Sequence, residues 1–332
     1  MNRFATFVLP MIFCSTVYGS VIDVHSHYIG DEYVSYLSKH NLSMSEGFPL
    51  PSWQAEDTIK FMQDADITTS VLTLAPIHPY VDRSSRTFIR KLNENMAALK
   101  NRSGGKFLFC ATLPLTNVED AIKEAVYALD VLKADGISLG SNIAGQYLGD
   151  SELEPLMQVL NERSAVVIVH PHKPYGLADS LFRTTPLAMF EYPADTTRAV
   201  VNLIMHNTPV RYSRVRMVIP HAGSFLALTI PRMKAVYPVV KARNLVPDID
   251  IDANVSRLYF DIAGVQSAEV IKSMLSFAHP SKILYGSDFP YFREDVLLDT
   301  LNNLKKQMAE DRDLKPYVEA IFSENARQLF SH

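Results

Sequence analysis

Residues 21–27 read VIDVHSH, an apolar, β-branched run that ends in two histidines two positions apart. A strand places residues i and i+2 on one face, so His25 and His27 point one way while Val24 and Ser26 point the other. Taken alone, the pair suits a half-exposed strand carrying two imidazoles as well as it suits part of a metal site. The rest of the chain has to decide.

Seven more runs of the same character follow: TTSVLTLAP (68–76), FLFCATLPL (107–115), GISLGSNI (136–143), AVVIVHP (165–171), RVRMVIPHAG (214–223), LYFDIAG (258–264) and KILYGSDFP (282–290). Their near-continuous apolarity is that of parallel strands buried on both faces. Between them lie amphipathic stretches with helix signals, such as Asn117 as the N-cap of NVEDAIKEAVYALDVLKA and a capping box formed by Ser151 and Glu154. Eight strand-then-helix units predict a single (β/α)8 barrel, the TIM-barrel architecture. An open doubly wound sheet is the other arrangement, but no G-x-G-x-x-G follows the first strand. Two connections, 28–52 and 172–198, are longer than a barrel needs. Both follow strands, so both belong at the C-terminal face, where loops form lids and substrate walls.

The chain has 332 residues, 47% of them apolar and 20% charged, which fits a globular protein with a large core. A formal charge of −4 gives no reason to expect a nucleic-acid partner. Residues 1–19 read as a signal peptide: Arg3, an apolar stretch to Ile12, then Val17 and Gly19 at the −3 and −1 positions of a cleavage site. The apolar run is too short for a comfortable membrane span, so the mature chain, residues 20–332, is expected to be secreted or periplasmic without a span of its own. Cys14 would leave with the leader, and Cys110 alone cannot form an internal disulfide.

Four strand ends carry residues able to bind a metal: His25 and His27, His170 in VHP, His221 in IPHAG and Asp288 in YGSDFP. In a closed barrel these positions converge above the core. Three imidazoles and a carboxylate suit zinc or another borderline divalent ion. Among nearby residues, Asp23 is expected to orient a ligand imidazole, and Trp53, Phe190, Tyr192, Tyr291 and Phe292 belong to the catalytic face, as packing or as walls for an aromatic ligand. His78 reads as a turn residue, His206 as a residue near a helix C-terminus, and His172 as a loop or pocket residue. A mononuclear metal barrel supports two reactions, hydrolysis by activated water or loss of carbon dioxide from a chelating acid, and the residues alone do not choose between them.

Taken together, DVHSH, VHP, PHAG and GSDFP, in this order and each on its strand, resemble the amidohydrolase superfamily, in particular the decarboxylase branch related to aminocarboxymuconate semialdehyde decarboxylase. The resemblance covers nearly all of residues 21–330. The EYPADTTR region is most similar to the 6-methylsalicylate decarboxylases. It implies one divalent metal, Zn2+ or Mn2+, held by His25, His27, His170 and Asp288, with His221 beside it and Asp288 and His221 as the catalytic pair. It also implies a non-oxidative decarboxylase of a small aromatic or related unsaturated carboxylic acid, and a homodimer; a metal-dependent hydrolase of an amide, ester or lactone is the alternative. Many amidohydrolases hold a second metal through a carboxylated lysine at the end of the fourth strand. GISLGSNI has none, so a mononuclear site is expected, with Lys173 read as a loop lysine near the substrate carboxylate.

Overall fold

The computed structural model describes residues 20–43, 47, 49–74, 85–177, 185–264 and 266–331. The expected leader and His78 lie outside them. The strands, in chain order, are β1 (Val21–Tyr28), β2 (Ile67–Leu74), β3 (Phe107–Thr112), β4 (Gly136–Gly140), β5 (Asn142–Ile143), β6 (Gln146–Tyr147), β7 (Val166–His170), β8 (Arg216–Ile219), β9 (Tyr259–Asp261) and β10 (Ile283–Leu284). Eight of them form one sheet in the order β1-β2-β3-β4-β7-β8-β9-β10, with every pair parallel; β5 and β6 form a small antiparallel hairpin beyond β4. Helices follow each barrel strand, as the parallel connections require, giving the (β/α)8 barrel. No helix among the described residues is long and apolar enough to cross a membrane.

The barrel closes between β1 and the segment after β10. Val24 N–H donates to Tyr285 O (3.0 Å), Asp288 N–H to His25 O (2.8 Å) and His27 N–H to Phe289 O (2.8 Å). Asp23 is the clamp at this seam: its buried carboxylate accepts from Ser287 N (2.9 Å), Ser287 Oγ (2.6 Å) and the backbone N–H of His25 (3.1 Å). This corrects the expectation that Asp23 orients a ligand imidazole. It holds the two backbones that carry the histidines and Asp288, and it does not hydrogen-bond a ring.

Two apolar cores result. The larger lies between strands and helices; the smaller takes Ile22, Val24, Val71, Cys110, Val166, Ile168, Val218 and Leu284 from the strands and fills the barrel. Ala326 and Leu329 of the last helix, Asn325–Phe330, complete it from below. Strand alternation would then turn His25 outward, since Ile22 and Val24 already face in. A register shift prevents this: Asp23 pairs with Ser70 but Ser26 with Leu72, three steps against two. This β-bulge inserts one residue and reverses the parity, so His25 and His27 sit over the core that Val24 caps.

Several local expectations are refined. Asn117 Oδ1 does cap its helix, accepting from Asp120 N (3.0 Å). Ser151 and Glu154 make no capping box, because Ser151–Leu153 form a 3-10 turn and the α-helix begins only at Glu154 with a proline in its first turn. The connection expected over 172–198 is helical from Glu191, and Pro193 is tolerated there because the first turn needs no N–H from it.

Gly286 is fixed by the seam. A Cβ on it would lie 2.7 Å from the Cβ of His25. Gly286→Ala is expected to cost about 1–3 kcal/mol through this overlap and to push His25 out of register. Thermal unfolding and a crystal structure of the variant check this; an unchanged midpoint with His25 unmoved would count against the tight fit.

Candidate active site

At the C-terminal ends of the strands the barrel brings together all five residues singled out from the sequence. The ligand-competent atoms of His25, His27 and His170 lie within 4.8 Å of one another, and so do those of His25, His221 and Asp288. His27 Nε2 is 3.0 Å from Asp288 Oδ1, His25 Nε2 is 3.5 Å from the same oxygen, and His221 Nε2 is 4.0 Å from Oδ2. Burial sorts the set. His25, His27 and His170 are all but inaccessible, whereas the side chains of His221 and Asp288 are 14% and 15% exposed. Three residues can only hold something inside the site; two can also meet solvent and substrate.

The electrostatics suit a cation. His25 is raised to about 9: burial works against its charge, but Asp261, Asp288 and Asp23 outweigh it. His27, His170 and His221 are lowered, chiefly by burial, so these imidazoles are neutral and keep a lone pair. Asp288 stays below the ordinary carboxylate range; burial opposes this, but the hydrogen bond from His27 and the charge of His25 prevail. His170 Nδ1 sits 2.9 Å from Pro171 O, so Nδ1 carries the proton and Nε2 is left to coordinate. His25 Nε2 is buried and has no hydrogen-bond partner. A buried ring nitrogen with no partner of this kind, beside neutral imidazoles and an ionised carboxylate, belongs to a donor set that fits a divalent metal once His25 has given up its proton.

The backbone at the site is unusual. His221, Ala222, Gly223 and Ser224 all have positive φ, and so does Asp288 (φ 66°). Such strain persists only where surrounding contacts impose it. Asp261, at the end of β9, supplies some of them: Oδ1 accepts from His221 N (3.1 Å) and Ala263 N (3.0 Å), and Oδ2 faces His25 Nδ1 at 2.9 Å. Sequence reasoning missed Asp261; the available signal was a lone acid in the middle of the apolar run LYFDIAG.

A second buried acid, Asp195, was also missed. It accepts from Asn142 Nδ2 (2.7 Å), Tyr147 OH (2.5 Å) and Ser141 Oγ, and so ties the helix Glu191–Met205 to the end of β4 and to the hairpin. That helix carries Tyr192, whose ring lies 6.1 Å from His170; Tyr291 lies 5.1 Å from His27 on another side. These two are the aromatic walls among the five residues nominated. Trp53 packs on Tyr28 in the core (4.9 Å), while Phe190 lies outward against Phe225 (5.5 Å) and Phe292 is 40% exposed. His172 is half-buried beside β4: a Cβ at residue 140 would lie 2.8 Å from its ring, so Gly140 has no room for a larger side chain. Lys173 lines a neighbouring cavity of about 290 Å³ with Asn142, His172 and Tyr175. His206 caps the C-terminus of the helix Glu191–Met205, as expected.

The chain is similar to several known proteins over nearly its whole length. Decarboxylase yanB of Aspergillus niger is 33% identical over 327 residues, covering 93% of this chain and 87% of that protein. The 6-methylsalicylic acid decarboxylase acuB of Aspergillus aculeatus is 30% identical over 318 residues, covering 93% and 95%. Among solved structures, an amidohydrolase II protein superposes with a TM-score of 0.83 at 30% identity over 94% of this chain and 100% of its own. A dihydroxybenzoic acid decarboxylase from Polaromonas, solved with bound manganese, shares the fold at 16% identity, with a TM-score of 0.78 over 94% of this chain and 96% of its own. Residues 22–331 match the amidohydrolase family. The chain belongs to that family.

Proposed function

We propose that this chain is a metal-dependent, non-oxidative decarboxylase of a small aromatic carboxylic acid of the 6-methylsalicylate kind, with His25, His27, His170 and Asp288 holding one divalent metal. The observation that carries the reading is the burial sorting: three inaccessible imidazoles beside an accessible Asp288–His221 pair, between Tyr192 and Tyr291. Near full-length likeness to proteins named decarboxylases supports loss of carbon dioxide over hydrolysis. Zinc fits three imidazoles and a carboxylate, and manganese is the competing ion, since the Polaromonas protein holds it.

A divalent ion held by His25, His27, His170 and Asp288 would supply a Lewis acid for an anionic substrate. Everything else falls to the chain. Tyr192 and Tyr291 flank the ring and exclude water from its faces. His221, partly exposed, takes a proton from solvent and passes it towards Asp288, whose Oδ2 faces it. Delivered to the ring carbon that bears the carboxylate, the proton interrupts aromaticity. The bond to the carboxylate then breaks, its electron pair returns to the ring, and carbon dioxide leaves. The proton stays on carbon, and no oxidant or reductant is consumed.

The purified protein is expected to release carbon dioxide from 6-methylsalicylate or a related hydroxybenzoate and to lose this activity on chelation. His170→Ala should lose metal and turnover together, whereas Asp288→Asn should cut turnover by at least about a hundredfold, the scale of a proton-transfer group. Cleavage of lactones or esters without carbon dioxide release would put the hydrolase reading first.

Acidity offers an independent check. His25, raised to about 9, is protonated at neutral pH and must shed that proton to coordinate. Metal binding at pH 7 should therefore release about one proton, and affinity should rise with pH until about 9. Calorimetry in buffers of different ionisation enthalpy reads the release; none at pH 7 contradicts the assignment of His25.

Export is part of the proposal, on the strength of residues 1–19. The exported protein is expected to begin at Ser20 and to run as a homodimer, with Phe190, Phe225 and Leu228 as exposed apolar surface for the contact. N-terminal sequencing and light scattering test both.

A further inference from the structure

We propose that Asp261 is the positioning residue that joins the metal-holding half of the site to its proton-handling half. The inference rests on the metal-centre reading above. Asp261 is fully buried, and its carboxylate has two distinct jobs. Oδ1 accepts from two backbone N–H groups, His221 (3.1 Å) and Ala263 (3.0 Å). Oδ2 lies 2.9 Å from His25 Nδ1.

The first job sets the shape of the turn that carries His221. Residues 221–224 all have positive φ, and the N–H of His221 opens that run. Anchoring it to Asp261 holds the strained backbone so that the ring lies 4.0 Å from Asp288. The second job sets a tautomer. A carboxylate oxygen can only accept, so Nδ1 of His25 must donate, and in the neutral ring that holds a metal the lone pair then lies on Nε2. That is the buried atom without a hydrogen-bond partner, 3.5 Å from Asp288 Oδ1. Carboxylates that hold a ligand histidine in this way typically change metal affinity by about ten- to a hundredfold when replaced. Asp261 differs in that the same group also fixes the backbone of a second site residue.

The two jobs separate by mutation. In Asp261→Asn the amide oxygen still accepts from the backbone N–H groups of His221 and Ala263, but the NH2 group now faces His25 Nδ1. It donates where an acceptor was needed, so Nδ1 must accept and the lone pair moves to the wrong nitrogen. Asp261→Asn is expected to fold, to bind zinc about ten- to a hundredfold more weakly, and to recover most turnover when zinc is added in excess. Asp261→Ala removes both jobs, so excess zinc should restore binding but not turnover. Asp135→Asn is the control: Asp135 is a buried acid that accepts from Phe109 N and pairs with Lys100, remote from the site. It should lower thermal stability and leave the zinc Kd of the folded protein unchanged.

Where a variant fails to fold, the parent still provides a test. In the zinc-loaded parent, the Nδ1–H of His25 should appear as an exchange-protected imidazole proton in the NMR spectrum, and its absence overturns the proposal. Equal zinc Kd values for the parent and Asp261→Asn also overturn it while leaving the metal centre intact. A parent that binds no divalent metal overturns both readings.

Discussion

The seam between the first strand and the segment after the last is the contact on which the rest of the structure depends. Two short hydrogen bonds, Asp288 N–H to His25 O and His27 N–H to Phe289 O, close the barrel with the residues that define the site. Closure and site assembly are therefore one event. Asp23 reinforces it from within by accepting three donors from the two sides. Burial pushes the Asp23 carboxyl up to about 6 in spite of these hydrogen bonds, so the clamp itself is costly to keep charged. The fold accepts that cost where a plain apolar contact could not dictate register to within one residue.

Above the seam, charge follows the same logic. Asp261, Asp288 and Asp23 surround His25, and their summed field is enough to reverse the effect of burial on its imidazole. Acids gathered this tightly in an apolar barrel need a counter-charge, either a proton on His25 or a metal in its place. Neutral imidazoles at positions 27 and 170 leave the metal as the better solution, because they offer lone pairs that a proton cannot use together. The walls are built differently. Tyr192 reaches the site from a helix held by Asp195, a carboxylate that contacts none of the five residues. Wall and centre are thus supported by separate buried acids.

How much of this was legible in the sequence depended on distance along the chain. The eight apolar runs and the histidines and aspartate at their ends could be read because each signal is local: a run, then a polar residue at its last position. Asn117 as a cap was local too, and it holds. Asp261 was not legible, because its partner His25 is 236 residues away and one acid closing a three-residue strand shows no pattern. Asp23 was misread because two-residue spacing suggests a shared face, whereas the bulge and Ser287, in the segment after β10, claimed its oxygens instead. The bulge was hidden as well. Asp23, His25 and His27 alternate as they would in an unbroken strand, so VIDVHSH gives no sign that the parity reverses between Asp23 and Ser26. Pro155 undid the capping box at Ser151 by starting the helix later than the motif implied.

Ligands drawn from both ends of the chain also impose an order in time. His25 and His27 leave the ribosome early, but they cannot meet Asp288 until residues 283–289 have been made and have closed on the first strand. A nascent or unfolded chain thus offers a metal only a bare His-x-His pair, a weak and unselective chelator. The centre forms only where folding finishes. A metal held there would be drawn from the ion pool of the place where the barrel closes.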